Sequence, residues 1–106
     1  MVKITELVPG DLLQPGFWGR LNYAALAHAP EVFVIRNNGF ANGVPLPLAF
    51  ANPCLVDFAP AFRIRGARVR QEQLETALQR AHDVCVAGHG PFWLEVLEQT
   101  EAEDGV

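Results

Sequence analysis

The sequence predicts a small three-layer α/β domain on a mostly parallel sheet of about four strands. Three observations point there. Apolar runs of strand length alternate along the chain with segments of helical period. The run EVFVIR at 31–36 is apolar at nearly every position, as suits a strand covered on both faces. Residues 71–87 place Leu74, Leu78, Ala81 and Cys85 on one stripe, with Glu72, Glu75 and Arg80 off it. An α+β arrangement with an antiparallel sheet is the alternative. The 106 residues suit one domain, assigned to 1–98, with an acidic C-terminal tail over 99–106.

The elements follow in order. VKITEL at 2–7 is a short first strand, broken by Pro9-Gly10. Residues 12–16 are a punctuated loop. A helix is expected over 17–29, with Leu21, Ala25 and His28 on one face and Pro30 ending it. The strand 31–36 comes next. Residues 37–53, with four asparagines among glycines and prolines, are expected to form a long loop. CLVDFAPAFR at 54–63 starts as a helix that Pro60 weakens. GARVR at 66–70 is a strand, 71–87 the clearest helix, and FWLEVL at 92–97 the final strand.

Half the residues are apolar and 19% charged, which excludes a disordered chain. No apolar run reaches the ~20 residues that span a bilayer, and MVKITELVPGD lacks a signal-type apolar core. A cytoplasmic, membrane-free location is the expectation. The net charge of −4 argues against generic nucleic-acid binding. Cys54 and Cys85 are expected to be reduced and buried. Pairing Cys54 with His28, His82 or His89 as nucleophile and base has no support from spacing. His89 is expected to be exposed in its Gly-His-Gly turn. Arg63, Arg65, Arg68 and Arg70 read as a solvated sheet face.

In parallel sheets ligands bind at the carboxyl ends of strands. Gly10-Asp11 follows the first strand and Asn37-Asn38 the second, with one helix between them. A carboxylate and an amide oxygen are hard ligands of the kind Mg²⁺ takes, and a backbone carbonyl just past Asn38 is a third candidate. Read alone, Pro-Gly-Asp and Asn-Gly are also ordinary turns.

The segment GDLLQPGFWGRLNYAALAHAPEVFVIRNNGFANGVP resembles the thiamine diphosphate motif of the alpha subunits of the 2-oxo acid dehydrogenases. The matching pieces are Gly10-Asp11, Phe17, LNYAAL, Ala29-Pro30, VFVIRNN and Pro45. Further on, GARV, LETALQRA and AGHGPFWLEV are similar to the family's closing strand, helix and Gly-Pro-x-Leu-x-Glu strand. The resemblance covers residues 10 to 98. It implies that Gly10 and Asp11 meet the cofactor, and that Asp11, Asn38 and the backbone carbonyl of Phe40 ligate Mg²⁺, which clamps the diphosphate of thiamine diphosphate. The chain departs from the pattern at Leu12, where the family has a third glycine, at Gly19, where it has a glutamate, and in a shorter loop before Phe17. The family's upstream segments, its downstream loop with an active-site histidine, and the glutamate that a partner subunit supplies have no counterpart in these residues.

The first functional reading is therefore a truncated thiamine diphosphate/Mg²⁺-binding module, inactive as an isolated chain and without catalytic residues of its own. The alternative is a non-catalytic oligomerising or protein-binding module, favoured by Leu12 and by an aromatic content large for this length. It works as a homo-oligomer or with a partner chain. A third reading is a β-rich fold in which PGDLL opens a strand and Asn38-Gly39 makes a hairpin.

Overall fold

The computed structural model describes residues 1–98; the acidic tail expected over 99–106 lies outside them. Strand β1 (Lys3–Leu7) leads through a 3₁₀ turn (Pro9–Leu13) into helix α1 (Pro15–Leu26) and then β2 (Glu31–Asn37). A small hairpin of β3 (Phe40–Ala41) and β4 (Val44–Pro45), the short helices α2 (Leu46–Ala49) and α3 (Phe58–Ala61), and β5 (Arg65–Arg70) follow. Helix α4 (Leu74–Val86) and β6 (Phe92–Leu97) complete the order. The main sheet runs β1-β2-β6-β5 and every pairing in it is parallel. The expected fold class holds, and the antiparallel alternative does not.

Burial follows the strand period. Phe33, Ile35 and Trp93 face one side, where Phe17, Leu21 and Ala24 of α1 pack with Leu46, Phe50, Leu55 and Ala59 of the β2–β5 connection. Val32, Val34, Leu94 and Val96 face the other side, against Ala81 and Cys85 of α4. A helix layer therefore covers each face, and β2 and β6 are buried on both, which is why their sequences are almost continuously apolar. The stripe expected on α4 packs as read: Leu74 and Leu78 are half-buried and Ala81 and Cys85 buried. Burial pushes the Cys85 thiol pKa up, with the Glu31 charge adding to it. Both cysteines are free.

Several local expectations are corrected. Helix α1 starts at Pro15, where a proline's missing N–H costs nothing. It ends at Leu26, well before Pro30. His28 takes a left-handed conformation (φ 52°), and the Ala29 N–H donates to the Ala24 carbonyl (3.0 Å) while the His28 N–H donates to Ala25 (3.2 Å). This is a Schellman ending. It leaves His28 exposed, and Ala24 takes the buried position assigned to Ala25. Two more helices end the same way. After α4, Gly88 (φ 85°) is left-handed, and the His89 N–H donates to the Val84 carbonyl (3.2 Å). After α3, Arg63 (φ 58°) is left-handed, and the Ile64 N–H donates to the Ala59 carbonyl (3.0 Å). Each ending delivers the chain into a strand: β2, β6 and β5 respectively.

The stretch 37–53, expected as a long loop, contains the β3–β4 hairpin and α2. Asn42 (φ 52°) and Gly43 (φ 83°) form a left-handed pair between β3 and β4. Asn-Gly suits that turn because both residues tolerate positive φ. The hairpin therefore turns at Asn42-Gly43 and not at Asn38-Gly39.

Candidate functional site

The carboxyl ends of β2, β6 and β5 open into a cavity of about 390 Å³, lined among others by Asn37, Gly39, Leu46, Pro47, Cys54 and Arg68. Two of these lining residues, Asn37 and Arg68, share a buried carboxylate, Glu95. Glu95 lies in β6, a central strand, and is fully buried. Strand alternation turns it toward the α1 side, the same side as Asn37. The Asn37 amide nitrogen donates to Glu95 Oε2 at 2.7 Å, and the Val56 backbone N–H donates to Oε1 at 2.8 Å. The half-exposed guanidinium of Arg68 lies 3.6 Å from Oε1. A buried charge is tolerable only with such partners. Asn37 Oδ1 in turn accepts the Gly39 N–H at 2.8 Å. One carboxylate thus ties the end of β2, the loop before α3 and the edge strand β5 into a single rim.

The residues singled out from the sequence sit at this same end. Strands β1 and β2 are adjacent and parallel, so the turn carrying Gly10 and Asp11 and the turn carrying Asn38 and Phe40 lie at neighbouring strand ends. The hairpin reaches back to the first turn. A Cβ on Gly10 would stand 2.3 Å from Asn42 Oδ1, so the Asn42 amide occupies the space that glycine leaves. Asp11 Oδ2 accepts the Val8 N–H at 2.9 Å, and Asn38 Oδ1 accepts the Phe40 N–H at 3.1 Å. These local bonds shape both turns and leave further lone pairs on each oxygen. A carboxylate, an amide oxygen and a backbone carbonyl are all hard donors and fit a Mg²⁺ ion in chemical type. Among the described residues no group of three or more His, Cys, Asp or Glu could hold a metal.

The departure at Leu12 has a packing role: its side chain is buried in the core beside Phe17 and Leu21. The N-terminus of α1, at Pro15, follows this turn at the same end of the sheet.

The sequence profile of the dehydrogenase E1 component family matches residues 14–98. The chain belongs to the dehydrogenase E1 component family. It is 34% identical over 99 residues to the pyruvate dehydrogenase E1 component subunit alpha of Staphylococcus aureus, covering 91% of this chain and 27% of that protein. Identity to the Staphylococcus epidermidis subunit of the same name is 32% over 99 residues, with 91% and 27% covered. To the Arabidopsis thaliana 2-oxoisovalerate dehydrogenase subunit alpha 1, mitochondrial, it is 29% over 97 residues, with 89% and 21% covered. The chain therefore spans roughly a quarter of the length of these curated relatives. The E1 profile includes Asn38, Phe40 and Glu95 and begins after Gly10-Asp11.

Sequence reading of this E1-type chain missed Glu95 as an organising residue. The sequence places this glutamate only in the final strand and in the Gly-Pro-x-Leu-x-Glu resemblance. Glu98 also belongs to the fold: it receives Arg36 at 2.7 Å and donates its N–H to the Asn37 carbonyl. That hydrogen bond to Glu98, aided by Glu6, raises the Arg36 pKa above its ordinary value. Cys54 is not core, as expected, but half-buried on the cavity wall, where Arg68 donates to its Sγ at 3.3 Å. The arginine row is also more than a solvated face, since Arg68 is bound into the rim. No helix among the described residues is long and apolar enough to cross a membrane.

Proposed function

We propose that this chain is a thiamine diphosphate/Mg²⁺ half-site of the E1 alpha-subunit type. The observation that carries the reading is the pairing of the Asp11 turn with the Asn38–Phe40 turn, at adjacent carboxyl ends of β1 and β2, in a chain of this family. In this reading the Asp11 carboxylate, the Asn38 amide oxygen and the Phe40 backbone carbonyl hold the metal. Gly10 belongs to the same turn, with the Asn42 amide against it, and the N-terminal dipole of α1 favours the negative charge of the diphosphate. The Glu95 network acts one layer below. It fixes Asn37, whose side-chain oxygen accepts the Gly39 N–H and holds the following turn in register. When bound, thiamine diphosphate supplies the carbanion chemistry of 2-oxo acid decarboxylation. The isolated chain is inactive in this reading, and a partner chain completes the site.

Calorimetric titration with thiamine diphosphate, with and without Mg²⁺, tests the assignment. Mg²⁺-dependent heat is expected, and Asp11→Ala abolishes it. Unchanged binding in that variant overturns the site, as does binding that ignores Mg²⁺.

A second reading, a non-catalytic oligomerising module, has its own observation. Tyr23 and Leu26 on α1 and Leu48 on α2 are 71%, 72% and 79% exposed. The open edge of β1 carries a half-exposed Ile4 (48%). Exposed large apolar side chains and an unpaired strand edge each suit a protein contact. Sedimentation of the purified chain is expected to show self-association in that case; a clean monomer at high concentration removes this reading.

A further inference from the structure

The three Schellman endings converge on the amino ends of the strands, opposite the Asn37–Glu95 mouth. They frame a groove of about 550 Å³ whose lining includes Leu26, His28, Phe62, Arg63, His89 and Pro91. That volume is in the range of small-molecule sites. Its charged and titratable lining is one-signed: an arginine and two histidines, with no carboxylate. The His28 imidazole lies against the loop that carries His89, with Nδ1 3.5 Å from the point a Gly90 Cβ would occupy.

Two features set these basic side chains apart. The first is their backbone. The same turn is made after α4 by Gly88, without steric cost. After α1 and α3 it is made by His28 and Arg63, which adopt positive φ despite their β-carbons. Helix C-terminal dipoles account for basic residues nearby. They do not account for placing them at the left-handed position itself, since a base one residue along would serve the dipole equally. Disfavoured backbone that clusters around one groove points to a function there. The second feature is the lack of partners. Arg20, Arg36 and Arg68 each lie 2.7 to 3.6 Å from a carboxylate. The side chains of Arg63, His28 and His89 have no hydrogen bond or ion pair among the described residues; Arg65 and Arg80 share that lack but lie outside the groove.

We propose that this groove binds a small organic anion, with an oxyanion head on Arg63 and the two imidazoles and an apolar body against Leu26, Phe62 and Pro91. Arginine's planar fork matches a carboxylate or phosphate edge. The apolar wall makes a bare ion the poorer ligand.

The test is a heteronuclear NMR titration of the full chain with inorganic phosphate, phenyl phosphate and phenylacetate, following the imidazole resonances of all three histidines. His82, exposed on α4 beside Asp83, is the internal control. Saturable shifts at His28 and His89 but not at His82 are expected, with phenyl phosphate or phenylacetate saturating at lower concentration than inorganic phosphate. The phenyl compound that binds more tightly identifies the head group. Two variants separate charge from backbone. Arg63→Gln keeps the strained turn, removes the cation and weakens binding about tenfold or more, as loss of a charge-assisted bidentate contact does. Arg63→Gly relieves the turn, folds at least as well and loses binding equally. Non-saturating shifts, equal shifts at His82, or wild-type affinity in Arg63→Gly overturn the proposal.

Discussion

The two ends of the parallel sheet are built on different principles. At the carboxyl end, order comes from side chains far apart in sequence: Glu95 bonds Asn37, 58 residues away, and the backbone of Val56, 39 residues away. At the amino end, order comes mostly from backbone hydrogen bonds between near neighbours in three equivalent helix endings, whose left-handed residues are exposed, with buried Glu31 at the start of β2 accepting side-chain bonds from Thr5 and Arg20. The carboxyl end is therefore sensitive to what a side chain can bond. The amino end is sensitive to which φ a residue tolerates. Glu95 alone gathers one end; at the other, Glu31 shares the task with three helix endings.

Substitutions can break or sharpen that contrast. The largest effect is expected at Glu95. Glu95→Leu leaves the Asn37 amide and the Val56 N–H without their acceptor in a buried site, at a cost of about 3 kcal/mol or more. Urea unfolding measures it, and a loss below about 1 kcal/mol removes Glu95 from its organising role. Next is Gly10→Ala, whose new methyl meets the Asn42 amide. A loss of about 1–2 kcal/mol is expected, in the range of small overpacking. Because the obstacle is a side-chain tip, adding Asn42→Gly should recover most of it, so a double-mutant cycle tests the hairpin's contact with the first turn.

At the amino end the expected signs reverse with the backbone. Gly88→Ala forces a β-carbon into positive φ and costs about 1 kcal/mol, whereas His28→Gly raises stability by up to about 1 kcal/mol. Equal signs for the two variants in thermal melts would mean the endings are not equivalent. The smallest effect is at Gly19, exposed in α1 with open space where its Cβ would stand. Gly19→Ala is expected to stabilise by about 0.5–1 kcal/mol through helix propensity alone.

How much of this was legible in the sequence follows the same division. The strands and α4 were readable because burial on one face or both leaves a period in the residues themselves. The parallel order followed from alternation of element types. The end of α1 was misplaced because proline is a louder stop signal than a histidine able to turn left-handed. The Asn42-Gly43 turn carried the right dipeptide, yet its flanking strands are two residues each, too short to show alternation. Glu95 was not legible as a structural centre. FWLEVL reads as a strand whichever way its acid points, and the partners that make burial tolerable come from distant segments. The assignment of Asp11, Asn38 and Phe40 as ligands rests on family resemblance; that their turns follow neighbouring strand ends follows from the parallel pairing of β1 and β2.

The strand order carries a consequence for how the molecule is made. The last of the four main strands to be synthesised, β6, pairs with both β2 and β5 and so occupies the gap between them. On the ribosome, β1, α1 and β2 emerge early and can form a local crossover unit. The inner edges of β2 and β5 have no neighbour until residues 92–97 leave the exit tunnel. Until then the nascent chain exposes two open edges, that of β2 largely apolar and that of β5 arginine-rich, and open edges of this kind mispair at high concentration. Ribosome-stalled chains ending before Phe92, held clear of the tunnel by a long C-terminal linker, should thus remain protease-sensitive over β5, and protection should arrive in one step once β6 is included.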